Sequence, residues 1–215
     1  MAKIAVDVVL LPSEDVAERA IHANRELLSQ GLLTEKQCPD KIVLDKENCL
    51  PHISLAMGCI DESDVADIET ILGTIAVLGT PDGEQHSVGR LHSHGIHVGT
   101  NSAGEKVSVV PLETTEPLQS LHEEVMQTLA PYFSYDVTAD MVLSPPPACE
   151  STLLWIRDYH ENSSFEKFFP HITIGYGQIE DFAFPGEFTV SRLALCHLGN
   201  HCTCRKILAS AEISS

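Results

Sequence analysis

The chain has 215 residues, of which 43% are hydrophobic and 20% charged, a composition typical of an ordinary globular protein. Its 13 Lys and Arg stand against 31 Asp and Glu, which gives a formal net charge of −18 at pH 7. Affinity for long nucleic acids comes largely from basic side chains that neutralise phosphates, so this balance argues against a long duplex or an intact tRNA as the ligand.

The first half of the chain alternates between predicted strands and helices. Apolar, β-branched runs predict strands at residues 3–11, 42–44 and 50–60. Helices are predicted to begin at Ser13 and at Asp61, since both residues favour the N-cap and precede apolar residues at helical spacing. A stretch rich in glycine and histidine, residues 83–104, predicts one or two more strands.

The second half repeats much of this order. A helix is predicted from Thr115 to Pro131, and residues 138–150 are predicted to form a loop. Strands are predicted at residues 106–112, 152–158 and 171–176, and a closing hairpin at 187–198 and 203–212. The first-half and second-half helices begin roughly 100 residues apart, which indicates an internal repeat.

Two short segments carry nearly the same sequence, LPHISL at residues 50–55 and FPHITI at residues 169–174. In a β-strand, residues i and i+2 lie on the same face. His52 is therefore predicted to lie beside Ser54, and His171 beside Thr173. A chain that builds this pair of side chains twice is expected to assemble two halves of one site.

The paired His-x-(Ser/Thr)-apolar motifs resemble those of the two-histidine (2H) phosphoesterase superfamily, which includes plant cyclic phosphodiesterases and the bacterial and archaeal 2′-5′ RNA ligase-like proteins. The resemblance rests on the two motifs and their flanks. It implies an α+β fold: one bilobal domain over residues 1–215, with two pseudo-symmetric, antiparallel-rich sheets flanked by outer helices around a central cleft.

These residue types suit the hydrolysis of a 2′,3′-cyclic phosphate or a short 2′-5′ linkage. A histidine exists in both protonation states near neutrality, so His52 and His171 are predicted to serve as general base and general acid. The hydroxyls of Ser54 and Thr173 can donate to the phosphate oxygens. Protein groups fill every role, so no cofactor and no metal is predicted for this chemistry. Which histidine is the acid is left open.

Three further residues are candidates for substrate binding. Tyr176 follows the second motif and offers a phenolic hydroxyl to a phosphate, whereas the matching residue after the first motif is Met57. Trp155 and Arg157 are predicted to share one face of a strand, where the indole could stack on a base. Packing in the protein core is the alternative role for the tryptophan.

Two alternative functions stay open. One is a non-catalytic module that binds AMP or CMP with the same four residues. The other is a metal-dependent hydrolase at the histidine cluster His86, His92, His94 and His97. A zinc site among Cys196, His197, His201, Cys202 and Cys204 is considered as well, but its spacing is unlike that of a zinc ribbon or finger.

The remaining predictions concern partners and location. The sequence contains no P-loop and no Gly-x-Ser-x-Gly elbow, so ATP-dependent ligation is not expected. The expected partner is a small nucleotide or short oligonucleotide, with no membrane, and the protein is expected to be a monomer.

No signal peptide or spanning segment is evident, and the seven cysteines form no secreted-type framework. They are therefore expected to be reduced in the cytoplasm.

Overall fold

The structure is a computed structural model that describes residues 2–30, 41–78, 90–101, 104–143, 147–179 and 181–213. Within these ranges the chain forms nine β-strands and four α-helices. The strands are β1 (Lys3–Pro12), β2 (Ile53–Asp61), β3 (Leu91–His92), β4 (His97–Thr100), β5 (Lys106–Pro111), β6 (His171–Tyr176), β7 (Glu187–Phe188), β8 (Val190–Leu198) and β9 (Cys204–Glu212). The helices are α1 (Glu14–Ser29), α2 (Val65–Leu78), α3 (Glu116–Leu129) and α4 (Glu150–Asn162).

Seven strands form one antiparallel sheet in the order β4-β5-β6-β2-β1-β8-β9, while β3 pairs with β7 in a separate ribbon. The seven strands fall into two groups, β4-β5-β6 and β2-β1-β8-β9. Where β6 meets β2, the strand register joins a single pair of described residues, Ile53 and Ile172. The α+β class with an antiparallel sheet is therefore confirmed, and the two groups meet at the two motif strands.

Each motif strand is covered by a helix of the other half. Helix α1 packs against β6, α3 packs against β2, and α2 covers β8 and β9. On β1, Val8 and Leu10 join the large core beneath the helices, whereas Val9 and Leu11 join a small cluster with Cys196. One face of the sheet is thus buried by helices, and the opposite face remains for a site.

The predicted strand at residues 152–158 is wrong, because this segment lies within helix α4. Its buried side chains are Thr152, Ile156 and Tyr159, which recur at helical spacing along one face. Residues 42–44 do not form a strand either. Their backbone is hydrogen-bonded by the side chain of Asn24 rather than by a neighbouring strand.

The prediction that all cysteines are reduced is also wrong, because Cys196 and Cys204 form a disulfide between β8 and β9. The antiparallel pairing of these strands brings the two Cα atoms within 5.4 Å, which is inside the range for a disulfide. Cys49, Cys59 and Cys202 are free thiols. The disulfide also removes two thiolates from the considered zinc site.

Across the described ranges, none of the helices has the length and apolar content needed to cross a membrane.

Candidate active site

The two motifs lie side by side on the sheet face that the helices leave open. Because β2 and β6 are antiparallel with Ile53 opposite Ile172, one step to either side sets His52 opposite Thr173 and Ser54 opposite His171. Both isoleucines are completely buried in the core. The four motif side chains are half-buried, as expected for the opposite face. The predicted meeting of the two motifs is thus what the strand register produces.

The two imidazoles are held in the same way. Nδ1 of His52 lies 2.8 Å from the carbonyl oxygen of Leu50, and Nδ1 of His171 lies 2.8 Å from that of Phe169. A carbonyl only accepts, so Nδ1–H donates in both rings. In the neutral rings, Nε2 is therefore the unprotonated nitrogen, which is the tautomer that a general base requires.

Burial lowers the pKa of both histidines. The carbonyl partners of the rings oppose this effect. The positive charge of His171 also lowers the pKa of His52, so the two rings are close enough to repel each other when charged. Double protonation is therefore disfavoured, and the two rings lose their protons in separate steps, between which one ring can serve as acid and the other as base.

Both motif strands carry a β-bulge at the same place, three residues after the histidine. In β2 the register with β1 skips Leu55, and in β6 the register with β5 skips Ile174. A bulged residue is left out of the ladder and bends its strand. The carbonyls of these two residues then need partners from elsewhere, since a buried unpaired carbonyl is costly.

The helices supply those partners. The Leu55 carbonyl accepts from Nδ1 of His122 in α3 at 2.6 Å and from the Tyr159 hydroxyl in α4 at 3.2 Å. The Ile174 carbonyl accepts from Nδ2 of Asn24 in α1 at 2.7 Å. His122 and Asn24 are completely buried. The two motif strands are thus anchored at equivalent points.

His122 also reaches toward the second motif. Its Nε2 accepts from the backbone N–H of Phe165 at 2.7 Å, and its ring stacks on that of Phe168 at 4.0 Å. Burial lowers the pKa of His122, so the neutral ring with one donor and one acceptor is favoured. One side chain therefore connects β2 to the segment that leads into His171.

Sequence reasoning missed Asn24 and His122. The available signal was a polar residue inside the apolar stripe of an amphipathic helix, next to Ala20 and Leu27 in α1 and to Leu118 and Val125 in α3. Such a residue is costly to bury without partners, so it marks a hydrogen-bonded contact. The apolar pattern of the helix does not show which strand such a residue contacts.

Gly175 allows α1 to approach β6 this closely. Its φ of +152° is rare for residues with a side chain, and an added Cβ would lie 3.1 Å from Nδ2 of Asn24 and from a methyl group of Leu27. The glycine after the second motif is therefore part of the anchoring of Ile174.

The two hydroxyls of the motifs differ in their partners. Ser54 Oγ is hydrogen-bonded to Oδ2 of Asp7 at 2.6 Å, and Asp7 lies completely buried in β1. Thr173, by comparison, has a hydroxyl without a hydrogen-bond partner among the described residues. Asp7 is a third residue that sequence reasoning missed; its signal was a charged residue within an apolar strand.

The turn between β8 and β9 adds a wall to the site. The backbone of Cys202 lies beside His52 and raises the pKa of that ring, and the ring of His201 lies 5.0 Å from that of Tyr176. His201 and Cys202 both have positive φ, at 60° and 53°. Two consecutive left-handed residues without glycine are strained, and such strain clusters at functional sites. Because its ring contacts His201 in this turn, Tyr176 lies at the edge of the site.

Phe169 lies next to the second motif with 58% of its surface exposed. Its ring is 5.3 Å from that of His171 and is inclined to it by 30°. An exposed aromatic ring beside a candidate catalytic group is available for stacking on a base.

The prediction that Trp155 and Arg157 share one strand face is wrong, because both lie on helix α4. Residues two apart on a helix lie on different faces, so the two side chains diverge. Trp155 is 53% exposed, and Nε of Arg157 donates to Asp158 at 2.9 Å. Met57 is buried and serves packing.

The histidine cluster was the candidate metal site. His92 lies 3.5 Å from a carboxylate oxygen of Glu187, and Nε2 of His97 lies 3.1 Å from the His94 carbonyl. In the part of the chain that the structure describes, there is no group of three or more His, Cys, Asp or Glu arranged to hold a metal. His86 lies outside the described residues.

Comparisons with known proteins bear on the fold. No protein-family model matches the chain, and no curated protein matches its sequence. The crystal structure of TT0787 of Thermus thermophilus matches with a TM-score of 0.57 and 15% identity over 98% of each chain. The crystal structure of E. coli LigT complexed with phosphate matches with a TM-score of 0.51 and 11% identity over 100% of each chain. At these identities the likeness shows the fold alone, which this chain shares with TT0787 and LigT.

Proposed function

We propose that the protein is a metal-independent phosphodiesterase that opens 2′,3′-cyclic phosphates or cuts short 2′-5′ linkages. The observation that carries the proposal is the matched pair of imidazoles. Both rings are fixed through Nδ1 to the carbonyl two residues earlier, and both belong to motifs that meet on one face of the sheet. E. coli LigT, which has the same fold, was crystallised with phosphate, and this supports a phosphate ligand here.

The proposed chemistry uses one ring as the base and the other as the acid. Nε2 of the neutral histidine takes a proton from water as the water oxygen bonds to phosphorus. Nε2–H of the protonated histidine gives its proton to the ribose oxygen as the bond from that oxygen to phosphorus breaks. Ser54 and Thr173 donate to the non-bridging oxygens while charge shifts. The proton moves from one ring to the other overall, and exchange with water resets the pair.

The substrate proposed is a small nucleotide or a short oligonucleotide, because a net charge of −18 disfavours a long polyanion. A monomer in the cytoplasm remains our expectation. The disulfide between Cys196 and Cys204 means that reduced cysteines no longer support a cytoplasmic location.

The test is hydrolysis of a panel of 2′,3′-cyclic mononucleotides and 2′-5′ dinucleotides in excess chelator. His52→Ala and His171→Ala are each expected to lower kcat by about 10²- to 10⁴-fold, as for the loss of a general acid or base. The exposed His97, on β4, provides the matched control, and His97→Ala is expected to keep full activity.

Two outcomes would contradict this mechanism. Activity that survives both substitutions in the motifs would mean that the histidines are not the acid and base. Calorimetric binding of AMP or CMP without turnover of any substrate would instead support the non-catalytic nucleotide-binding module.

A further inference from the structure

A carboxyl group lies directly behind the first motif. Asp7 occupies the middle of β1, and its side chain is completely buried. Its register partners are Met57 in β2 and Cys196 in β8, the latter bonded to Cys204. Neither neighbour offers a charge or a strong hydrogen bond. Among the side chains of the described residues, Ser54 is the hydrogen-bond partner of this carboxyl.

The hydrogen bonds of Asp7 are too few for a charged carboxylate. Oδ2 is bonded to Ser54 Oγ at 2.6 Å, but Oδ1 is buried without a hydrogen-bond partner among the described residues. Burial raises the pKa of Asp7 well above its ordinary value, against smaller lowering effects from Ser54 and the Ala56 amide. The titratable groups that face it are Tyr159 from α4 and Cys202 from the β8–β9 turn. A phenol and a thiol are neutral or negative, and burial raises the pKa of both, so they stay neutral and supply no positive charge to stabilise a carboxylate. The protonated carboxyl is therefore favoured.

The state of Asp7 decides what Ser54 can do. A serine hydroxyl has one proton and two lone pairs. If Ser54 donates to Asp7, no proton is left for a substrate. If Asp7 donates to Ser54 instead, the serine accepts on one lone pair and keeps its own proton for the open face of the sheet. Thr173 needs no such arrangement, because its hydroxyl has no hydrogen-bond partner among the described residues.

We propose that Asp7 is a positioning residue that donates its carboxyl proton to Ser54 Oγ and thereby leaves the single Ser54 proton for a phosphate oxygen. The phosphate part rests on the proposed function, whereas the protonation of Asp7 does not. Among the described residues, this arrangement belongs to the first half: Asp7 pairs with Met57, and the corresponding partner of Tyr176 in β5 is Val107.

The first test measures the affinity for inorganic phosphate by calorimetry at pH 7. Asp7→Asn keeps the shape and a donor toward Ser54, so its affinity is expected to stay within about threefold of the wild type. Asp7→Leu removes the partner that orients the Ser54 hydroxyl, and it is expected to weaken binding by about tenfold, as when the hydrogen bond from the serine to the charged phosphate is lost. Ser54→Ala is expected to weaken binding similarly, and adding Asp7→Leu to it should cause no further loss.

The results that would overturn the proposal are distinct. If Asp7→Asn binds phosphate as weakly as Asp7→Leu, Ser54 depends on an ionised carboxylate rather than on a donor. If Asp7→Leu binds as tightly as the wild type, Asp7 does not position Ser54. Circular dichroism establishes that each variant is folded, and should Asp7→Leu fail to fold, the comparison of Asp7→Asn with Ser54→Ala decides the first question.

A second measurement reads the proton directly and needs no ligand. The side-chain carboxyl carbon of Asp7 in the ¹³C-labelled protein is expected to show the shift of a protonated acid at pH 7, and a carboxylate shift would overturn the proposal. If the wild type binds no phosphate while this carbon reads protonated, the proposed function fails and the protonation of Asp7 stands.

Discussion

Asn24 offers a stringent test of how the second motif strand is held. Its side chain makes three hydrogen bonds in a completely buried position: Nδ2 donates to the carbonyls of Ile42 at 2.9 Å and Ile174 at 2.7 Å, and Oδ1 accepts from the Leu44 amide at 3.0 Å. Asn24→Asp keeps the size and the acceptor but removes both donors. Each carbonyl left without a partner costs about 1–3 kcal/mol, so the expected loss at pH 7 is about 2–6 kcal/mol.

The loss is expected to depend on pH. Burial among carbonyl oxygens raises the pKa of the new carboxyl above its unfolded value, so the folded state holds its proton to higher pH. The variant therefore loses stability as the pH rises from the unfolded pKa toward the folded one, and it recovers part of the loss at lower pH, where the acid donates to one carbonyl.

Urea denaturation followed by circular dichroism at pH 5 and pH 7 measures both effects. Glu26→Gln, an acid-to-amide exchange at an exposed position of the same helix, is the matched control and should stay within about 0.5 kcal/mol of the wild type. If Asn24→Asp changes the free energy of unfolding at pH 7 as little as Glu26→Gln does, the three hydrogen bonds do not hold β6. The claim that Asn24 anchors the bulged Ile174 carbonyl would then be wrong.

Three further predictions concern the site and its surroundings. Because burial lowers the pKa of His52 and His171, the pH profile of kcat/KM should have its maximum below about 6.5, the ordinary histidine pKa; a maximum well above it would contradict this. Phe169→Leu should raise KM for a cyclic nucleotide about tenfold through lost stacking, with inorganic phosphate affinity unchanged as the control. Removal of the disulfide between Cys196 and Cys204, which closes a loop with a sequence separation of 8, by Cys196→Ala with Cys204→Ala should lower the free energy of unfolding by about 2–3 kcal/mol; urea midpoints of the wild type and this variant measure it, and equal midpoints would refute it.

The sequence predicted most of the regular structure of this chain. The apolar run of β1, the amphipathic patterns of α1 and α3 and the hairpin of β8 and β9 are all confirmed. The segment at 152–158 was misread because a short apolar run fits both a strand and one face of a helix. Length and periodicity did not distinguish a strand from a helix here. The structure does, because the buried side chains of α4 lie on one helical face.

The disulfide and the anchoring residues depend on contacts between distant parts of the chain. Asp7 meets Ser54 across a strand pair, and His122 and Asn24 each reach the motif strand of the other half. None of these pairings is encoded in local spacing. The contacts of His122 and Asn24 form where two bulges leave carbonyls unpaired and where helices pack against the opposite strand group.

By itself, then, the sequence determined which residues repeat: two histidines, each with a hydroxyl two positions later, since a period of two is a property of any β-strand. Only the tertiary structure decided that the repeats share one face, because a single residue pair between β2 and β6 sets the register that brings them together. It also decided how the two hydroxyls differ, since the buried carboxyl behind Ser54 has no counterpart behind Thr173 in the described parts of the chain. The alternation of side chains is a property of the backbone of a single strand, whereas register and burial arise from the packing of the whole chain.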